Sequence, residues 1–458
     1  MTERRNGGTT ARERKDAVTE RRTGLRWTVT LSVAVLSVLP SFRPSVLQAQ
    51  DSVIVIKAGR LFDSEKGVFV ANQQILVRGR NIAEVGATVS APAGARVIDL
   101  SGKTVLPGLI DAHTHLLNLE HPKGNISTEG IKQLVIEGLP LRALHGAARA
   151  RTFLDAGITT VRDLGNSGRF GDVALRQAID DGSVPGPRMI VSGPGLSPIG
   201  GQFPGLLPEY QSLAAEEYRI VRNADDAADA VRENVTLGAR VIKIYSNNTP
   251  NPGSFSDAEL AAIVESAKRH RVKVAAHATS DDAVYRAAKA GVNSIEHAYQ
   301  VTDSTLALMA KNGVMLVPTD LDTVTVEWYL RQSGNYTDER FKQFVGSLQY
   351  NQDRLRRAIK AGVTIAAGSD NYIDMGVPQG QAAKHNLLAY LYTGMTPVQV
   401  LQAATINDAK LLGMEGKIGV IKQGAFADII AIDGDPEKDF VGSIERVKFV
   451  MKEGKVYK

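Results

Sequence analysis

Alternation constrains this chain most. Between residues 105 and 369, eight apolar runs of strand length recur, at 105–111, 159–163, 188–192, 240–245, 273–277, 294–297, 314–318 and 364–369. Patterns of helical period lie between and after them, over 134–156, 225–237, 257–270, 281–290, 304–312 and 338–361. Three of these end in Ala-Gly (Ala156-Gly157, Ala290-Gly291, Ala361-Gly362), where glycine suits the left-handed residue that closes a helix. Strand-then-helix units spread over about 250 residues predict an α/β fold, a (β/α)8 barrel of the TIM type. A doubly wound open sheet is the alternative, because periodicity alone does not show closure.

The flanks differ from this middle. Short strand-like runs at 53–57, 74–78 and 96–100 precede it, and others at 427–432, 447–451 and 456–457 follow it. Two β-rich ends around a different middle predict one composite β-sandwich from residues 50–104 and 415–458, with the barrel over 105–414.

Residues 1–49 read as a leader. An Arg-rich polar stretch precedes an uncharged one over 27–39, and Ser45-Val46-Leu47-Gln48-Ala49 offers a small residue before a cut. This order predicts a secretory signal peptide and an exported, periplasmic or secreted enzyme. Arg21-Arg22 permits the twin-arginine route as well as the general one. An uncleaved anchor is the competing reading, but the apolar stretch is short for a bilayer. Nine Lys/Arg and four acids lie in the leader, which leaves 45 basic and 45 acidic residues in the body. The body is neutral, so charge gives no support for a nucleic-acid partner. The chain has no cysteine, which excludes disulfides, thiolate ligands and a Cys nucleophile.

In a barrel, chemistry gathers where strands end. The first run ends in Asp111-Ala112-His113-Thr114-His115. On a strand of period two, His113 and His115 face one point and form a ready site for a first-row metal. The fourth run buries Lys243 among Val241, Ile242, Ile244 and Tyr245. The fifth ends in His277, the sixth in His297 and the eighth in Asp370. Four of the eight histidines thus fall at run ends. Of the others, His270 sits in a polar helix end, and His121, His145 and His385 are expected in structural roles. A buried ammonium at Lys243 is costly and repels cations, so it must pair with an acid, reach outward or be modified. Arg162 and Asp163, at the end of the second run, are expected to form a structural ion pair.

These residues resemble the amidohydrolase superfamily, in its imidazolonepropionase-like and prolidase-like branch of dipeptidases and ochratoxin-hydrolysing amidases. The resemblance runs from about Val53 to Val456. It rests on Leu106-Pro107-Gly108-Leu109-Ile110-Asp111-Ala112-His113-Thr114-His115, Gly157-Ile158-Thr159-Thr160-Val161-Arg162-Asp163, Lys243-Ile244-Tyr245, His277-Ala278, Ile295-Glu296-His297 and Gly368-Ser369-Asp370. Ala403-Ala404-Thr405 and Gly424-Ala425-Phe426-Ala427-Asp428 add to it. The resemblance implies a barrel carrying a β-sandwich built from both termini. It also implies two divalent metal ions bridged by a carboxylated Lys243 and a water or hydroxide. One ion takes His113, His115 and Asp370, and the other takes His277 and His297. Nitrogen and oxygen donors without sulfur suit zinc, with manganese, cobalt and iron left open.

As the resemblance has it, the bridging hydroxide attacks the scissile carbonyl, and Asp370 is the catalytic base that passes the proton to the leaving amine. Tyr245 shares the face of Lys243, either as a substrate or oxyanion contact or as a layer aromatic of the barrel. Gln202 stands where the branch often carries histidine after Gly-Gly, and Asn386 where many relatives carry glutamate. Both are expected near the substrate. The expected reaction is hydrolysis of the amide of a dipeptide or an N-acyl or aryl amino acid, ochratoxin-like compounds included. Ring opening of a cyclic amide or imidazolone is the alternative, and a non-catalytic metal-binding scaffold a remote one. The expected partner is that small-molecule substrate, with no nucleic acid and no membrane insertion after signal cleavage. The resemblance leaves room for a homo-oligomer.

Overall fold

The computed structural model describes residues 53–458 except 125–127, 204 and 248–252. The leader reading falls on residues outside these. The chain opens with β1 (Val53–Asp63), β2 (Val68–Arg78), β3 (Asn81–Gly86) and β4 (Arg96–Pro107). It continues through β5 (Leu109–Thr114), β6 (Ile158–Asp163), β7 (Arg188–Val191), β8 (Gly195–Ser197), β9 (Tyr218–Ile220), β10 (Val241–Tyr245), β11 (Lys273–Ser280), β12 (Ser294–Gln300) and β13 (Met315–Val317). It closes with β14 (Ile429–Ile432), β15 (Val447–Lys452) and β16 (Lys455–Val456).

Both termini build one seven-stranded sheet in the order β16-β15-β14-β4-β1-β2-β3. Its other neighbouring strands pair antiparallel, yet β1 and β4 pair in parallel. They can do so because β2 and β3 intervene in sequence, giving β4 room to return in the direction of β1. The free edge of β3 meets the segment before β14: Ile82 N–H donates to Ala425 O, and Gly424 N–H donates to Ile82 O (both 2.9 Å). Strand alternation gives the sheet two buried faces. Ile429 and Ala431 join an inner core with Ile54, Ile56, Ile75 and Met451, while Ile430 and Ile432 pack into the barrel core with Leu106 and Val450.

The barrel strands are parallel: β5-β6-β7 form one sheet, and β13-β12-β11-β10-β8-β9 another. Backbone hydrogen bonds join them into a ring. Arg240 N–H donates to Val191 O (2.7 Å), and Leu316 N–H donates to Thr364 O (3.0 Å). Ala112 N–H donates to Ala367 O, and Asp370 N–H to His113 O (both 2.8 Å). The eighth staves, residues 364–369, therefore close the barrel, although only Ile365 makes a formal bridge. The first run divides at Gly108. Its residues 105–107 end β4 in the terminal sheet, pairing with Ile429 to Ala431, and β5 alone enters the barrel. A β-carbon on Gly108 would meet the Thr159 side chain, so glycine lets the chain pass from one sheet to the other.

Helices over Gly138–Asp155, Gly171–Asp180, Ala224–Thr236, Asp257–Arg269, Asp281–Ala290, Asp303–Asn312 and Asp338–Lys360 alternate with these strands. Their starts carry the expected caps. Ser256 and Glu259 form a capping box, and the Asn223, Ser280, Thr302 and Thr337 side chains accept from N3 amides. Among the described residues no helix is long and apolar enough to cross a membrane.

Candidate metal centre

The rim at the strand C-termini holds a cavity of about 340 Å³. Its wall includes His113, His115, Lys243, His277, His297 and Asp370, together with Tyr245 and Gln202. The six expected metal-binding residues and both expected substrate contacts thus come together in one place.

Period two explains the first pair. His113 and His115 turn inward from β5, while Thr114 turns out and donates to Asp163 Oδ2 (3.1 Å). The rings of His113 and His115 lie 5.2 Å apart. Asp370 Oδ1 sits 3.0 Å from His115 Nε2 and 3.4 Å from His113 Nε2, and donor atoms of these three residues lie within 4.8 Å of one another. Lys243 Nζ is 3.4 Å from His113 Nε2. The His297 ring is 5.4 Å from that of His113 and 4.7 Å from that of His277.

Groups behind the imidazoles fix their tautomers. His115 Nδ1 faces the Gly165 carbonyl at 2.8 Å, and a carbonyl only accepts, so Nδ1 carries a proton and Nε2 is the nitrogen that faces Asp370. His113 Nδ1–H donates to Glu296 Oε2 (2.8 Å), which turns its Nε2 toward Lys243 and Asp370. His297 Nδ1 is hydrogen-bonded to Thr319 Oγ1 (2.7 Å). Burial and the adjacent Lys243 hold His113 well below the ordinary imidazole value and bring His277 down to about 3. Burial and the neighbouring imidazoles do the same to His297. For His115, burial opposes the charge, but Asp370 outweighs it and the net shift is upward. Burial would raise Asp370, yet His113, His115 and Lys243 pull it below the usual carboxylate range. Burial brings Lys243 down to about 8, against the pull of Glu296 and Asp370.

Imidazole nitrogens that line one cavity beside an ionised carboxylate, with no sulfur, fit a divalent first-row ion. The backbone is bent to assemble them. His297, Ala298, Thr319 and Asp370 all adopt left-handed φ, at 77°, 54°, 54° and 50°. Such conformations cost energy in non-glycine residues and cluster where side chains must be aimed.

Other expectations resolve as follows. Tyr245 lies in the wall, and its hydroxyl donates to Asn166 Oδ1 (3.0 Å). Gln202 Nε2 sits 3.4 Å from His277 Nε2. Asn386 is buried beside the cavity; its Nδ2 donates to Asp320 O (2.8 Å), and it lines a smaller side pocket that shares Tyr299, Asp370 and Tyr372 with the main one. His270 is exposed, and His121 and His145 approach Asp374 and Glu137 near the surface. Buried His385 pairs with Asp322 at 2.8 Å. The expected ion pair of Arg162 with Asp163 does not form. Consecutive strand residues point to opposite faces, so Arg162 reaches inward to Glu296 Oε1 (2.8 Å) while Asp163 accepts from Leu116 N–H (2.7 Å) and Ser167 Oγ (3.1 Å).

The role of Glu296 was missed. It links Arg162 to His113 beneath the cavity, with Ser294 Oγ donating to it at 2.5 Å. The available signal was an acid inside an apolar run, the same signal that marked Lys243. Alternation argued against it, since His297 follows directly, and the left-handed turn at His297 is what brings both inside.

Comparison with known proteins agrees with this geometry. The model of the amidohydrolase family matches residues 104–457. Ochratoxinase of Aspergillus niger is 29% identical, over 91% of this chain and 89% of its own length. Imidazolonepropionase of Shouchella clausii is 25% identical, over 86% of this chain and 87% of its own. A crystal structure of a Xaa-Pro dipeptidase with bound methionine in the active site superposes with a TM-score of 0.75 at 29% identity, covering 89% of this chain and all of that one. With a donor set suited to a divalent ion at the mouth of its barrel, the chain belongs to the amidohydrolase family and is a metal-dependent hydrolase of amide bonds.

Proposed function

We propose that this enzyme holds two divalent ions and cuts the amide that joins an aminoacyl or acyl group to an amino acid. Dipeptides are its first substrates, and ochratoxin-like aryl amides are a special case. The observation that carries this reading is the gathering of four imidazoles, Lys243 and Asp370 on the wall of one cavity. Among the relatives, one is named ochratoxinase and another is a Xaa-Pro dipeptidase holding methionine.

In this reading His113, His115 and Asp370 hold one ion, and His277 and His297 the other. Lys243, whose amine is brought toward its free base by burial, would add CO₂ with release of a proton to water and so offer the ions a carboxylate in place of an ammonium. Zinc suits the donor set. Bound there, the ions supply Lewis acidity toward the scissile carbonyl and make a nearby water a stronger acid. Asp370 takes the proton of that water on its carboxylate and delivers it to the nitrogen of the departing amine. Tyr245 and Gln202 hold the substrate from the cavity wall beside His277. Residues 1–49 serve as a cleaved export signal, so the enzyme works outside the cytoplasm.

The test is a release assay with the zinc-loaded enzyme over a panel of dipeptides, N-acyl amino acids and a cyclic imidazolone. Release of a free amino acid that stops on chelation and returns with zinc is the expected result. Asp370→Asn should lower kcat by roughly 10²–10⁴-fold while the protein keeps much of its metal. Turnover of the imidazolone alone, or an Asp370→Asn enzyme as fast as the parent, would overturn the assignment.

A further inference from the structure

The cavity wall has an uneven charge inventory. Among the described residues it contains no arginine, and Lys243 is its one lysine. Once the four imidazoles, Asp370 and Lys243 are given to the metals, one carboxyl group remains in the wall, that of Glu120. Apart from the metals, a substrate carboxylate therefore meets neutral donors such as Tyr245 and Gln202 among the described residues, whereas a substrate cation meets an acid.

Glu120 is held in place. Its backbone N–H donates to Tyr372 O (2.7 Å), and its carbonyl accepts from Asp374 N–H (2.9 Å). These bonds tie the loop that follows His115 to the loop that follows Asp370. Asn118, whose N–H donates to His115 O (3.1 Å), aims its side-chain amide at Glu120 Oε1 (3.4 Å). Among the described residues no lysine or arginine pairs with Glu120. Burial pushes its carboxyl up to about 7. A half-buried acid on a rigid mount beside a metal centre, lacking a cationic partner, calls for one from the ligand.

We infer that Glu120, supported by Asn118, binds the α-ammonium group of the substrate and makes the enzyme select amides whose acyl part is an unblocked aminoacyl residue. This rests on the amide reading above and narrows it. In an aminoacyl amide the ammonium is one carbon away from the scissile carbonyl, and Glu120 lines the same cavity as His115 and Asp370. An N-acylated or desamino substrate brings no charge to Glu120 and leaves the carboxylate desolvated without a partner.

The test compares L-alanyl-L-phenylalanine with propionyl-L-phenylalanine, which has the same carbon frame without the ammonium. With the zinc-loaded enzyme, kcat/KM should favour the alanyl compound by roughly 10–100-fold, the worth of a charge-assisted hydrogen bond. Glu120→Gln should collapse that ratio, chiefly through KM. Equal rates for the two compounds in the parent enzyme, or an unchanged ratio in E120Q, would overturn the inference while leaving amide hydrolysis intact. A second measurement needs no turnover. Calorimetric titration at pH 7 should show L-alaninamide binding at least about 10-fold tighter than propionamide to the parent and losing that advantage in E120Q. Equal binding of the two amides to the parent would refute the role of Glu120 whether or not either dipeptide analogue is cut.

Discussion

The aim of each imidazole depends on the group behind it, and Glu296 carries the most. It takes the Nδ1–H of His113 and is itself gripped by Arg162 and Ser294. Replacing Glu296 with Gln keeps the shape but substitutes a neutral amide for the carboxylate that orients the ring. We expect metal affinity to fall about 10–100-fold, measured by competition with a chromophoric chelator; an unchanged affinity would show that the His113 ring is held by packing alone. At this scale the sequence was readable where chemistry and periodicity agreed. His113, His115, Lys243 and Tyr245 obey the two-residue alternation, and His277 and Asp370 close apolar runs. Glu296 was hidden because alternation would send either it or His297 outward, and no spacing rule foresees a left-handed bend in β12. Glu120 and Asn118 were hidden for another reason: they lie in a loop, where only the fold decides what is near.

Elements were legible in proportion to their length. The pattern over 257–270 became a helix over Asp257–Arg269, and that over 338–361 a helix over Asp338–Lys360. Short staves were harder. The first run split between two sheets at Gly108, and the eighth, 364–369, meets its neighbours through individual backbone bonds. Gly368 explains that irregularity. A β-carbon there would lie 2.8 Å from His113 Cβ and 3.0 Å from His113 N, and closer still to Val317. The eighth stave can close the ring, and carry Asp370 to the metal centre, only by passing β5 without a side chain. Gly368→Ala should therefore destabilise the fold by about 1–3 kcal/mol, as overpacking does, and should displace Asp370 relative to His113. Thermal unfolding with metal and after chelation measures both effects. A variant as stable as the parent in both conditions would mean that the ring tolerates a wider seam.

At the scale of the whole molecule, the terminal sheet and the barrel behave as one body because buried charges cross between them. Arg188, on β7, pairs with Asp428 just before β14 and with Glu453 just after β15. On another side His385, in the barrel helix Gln379–Leu391, lies between two acids. Asp322 caps the barrel helix Thr323–Gln332, and Glu445 ends the helix Phe440–Glu445 that joins β14 to β15. Burial disfavours a charged His385, but the two carboxylates outweigh it and push the imidazolium up to about 9. The consequence for stability has a definite sign. A histidine raised from its unfolded value near 6.5 contributes fully below that pH, and its contribution fades as pH climbs through 9. Partial solvent screening keeps the loss on the order of 2 kcal/mol. Thermal unfolding from pH 6 to pH 10 should show the parent losing stability across that window. His385→Gln should start lower at pH 6 and fall less steeply, so that the two curves converge near pH 10. Parallel curves would mean that the joint between barrel and terminal sheet does not depend on this charge, and would leave Arg188 with its two acids as the contact that binds the halves.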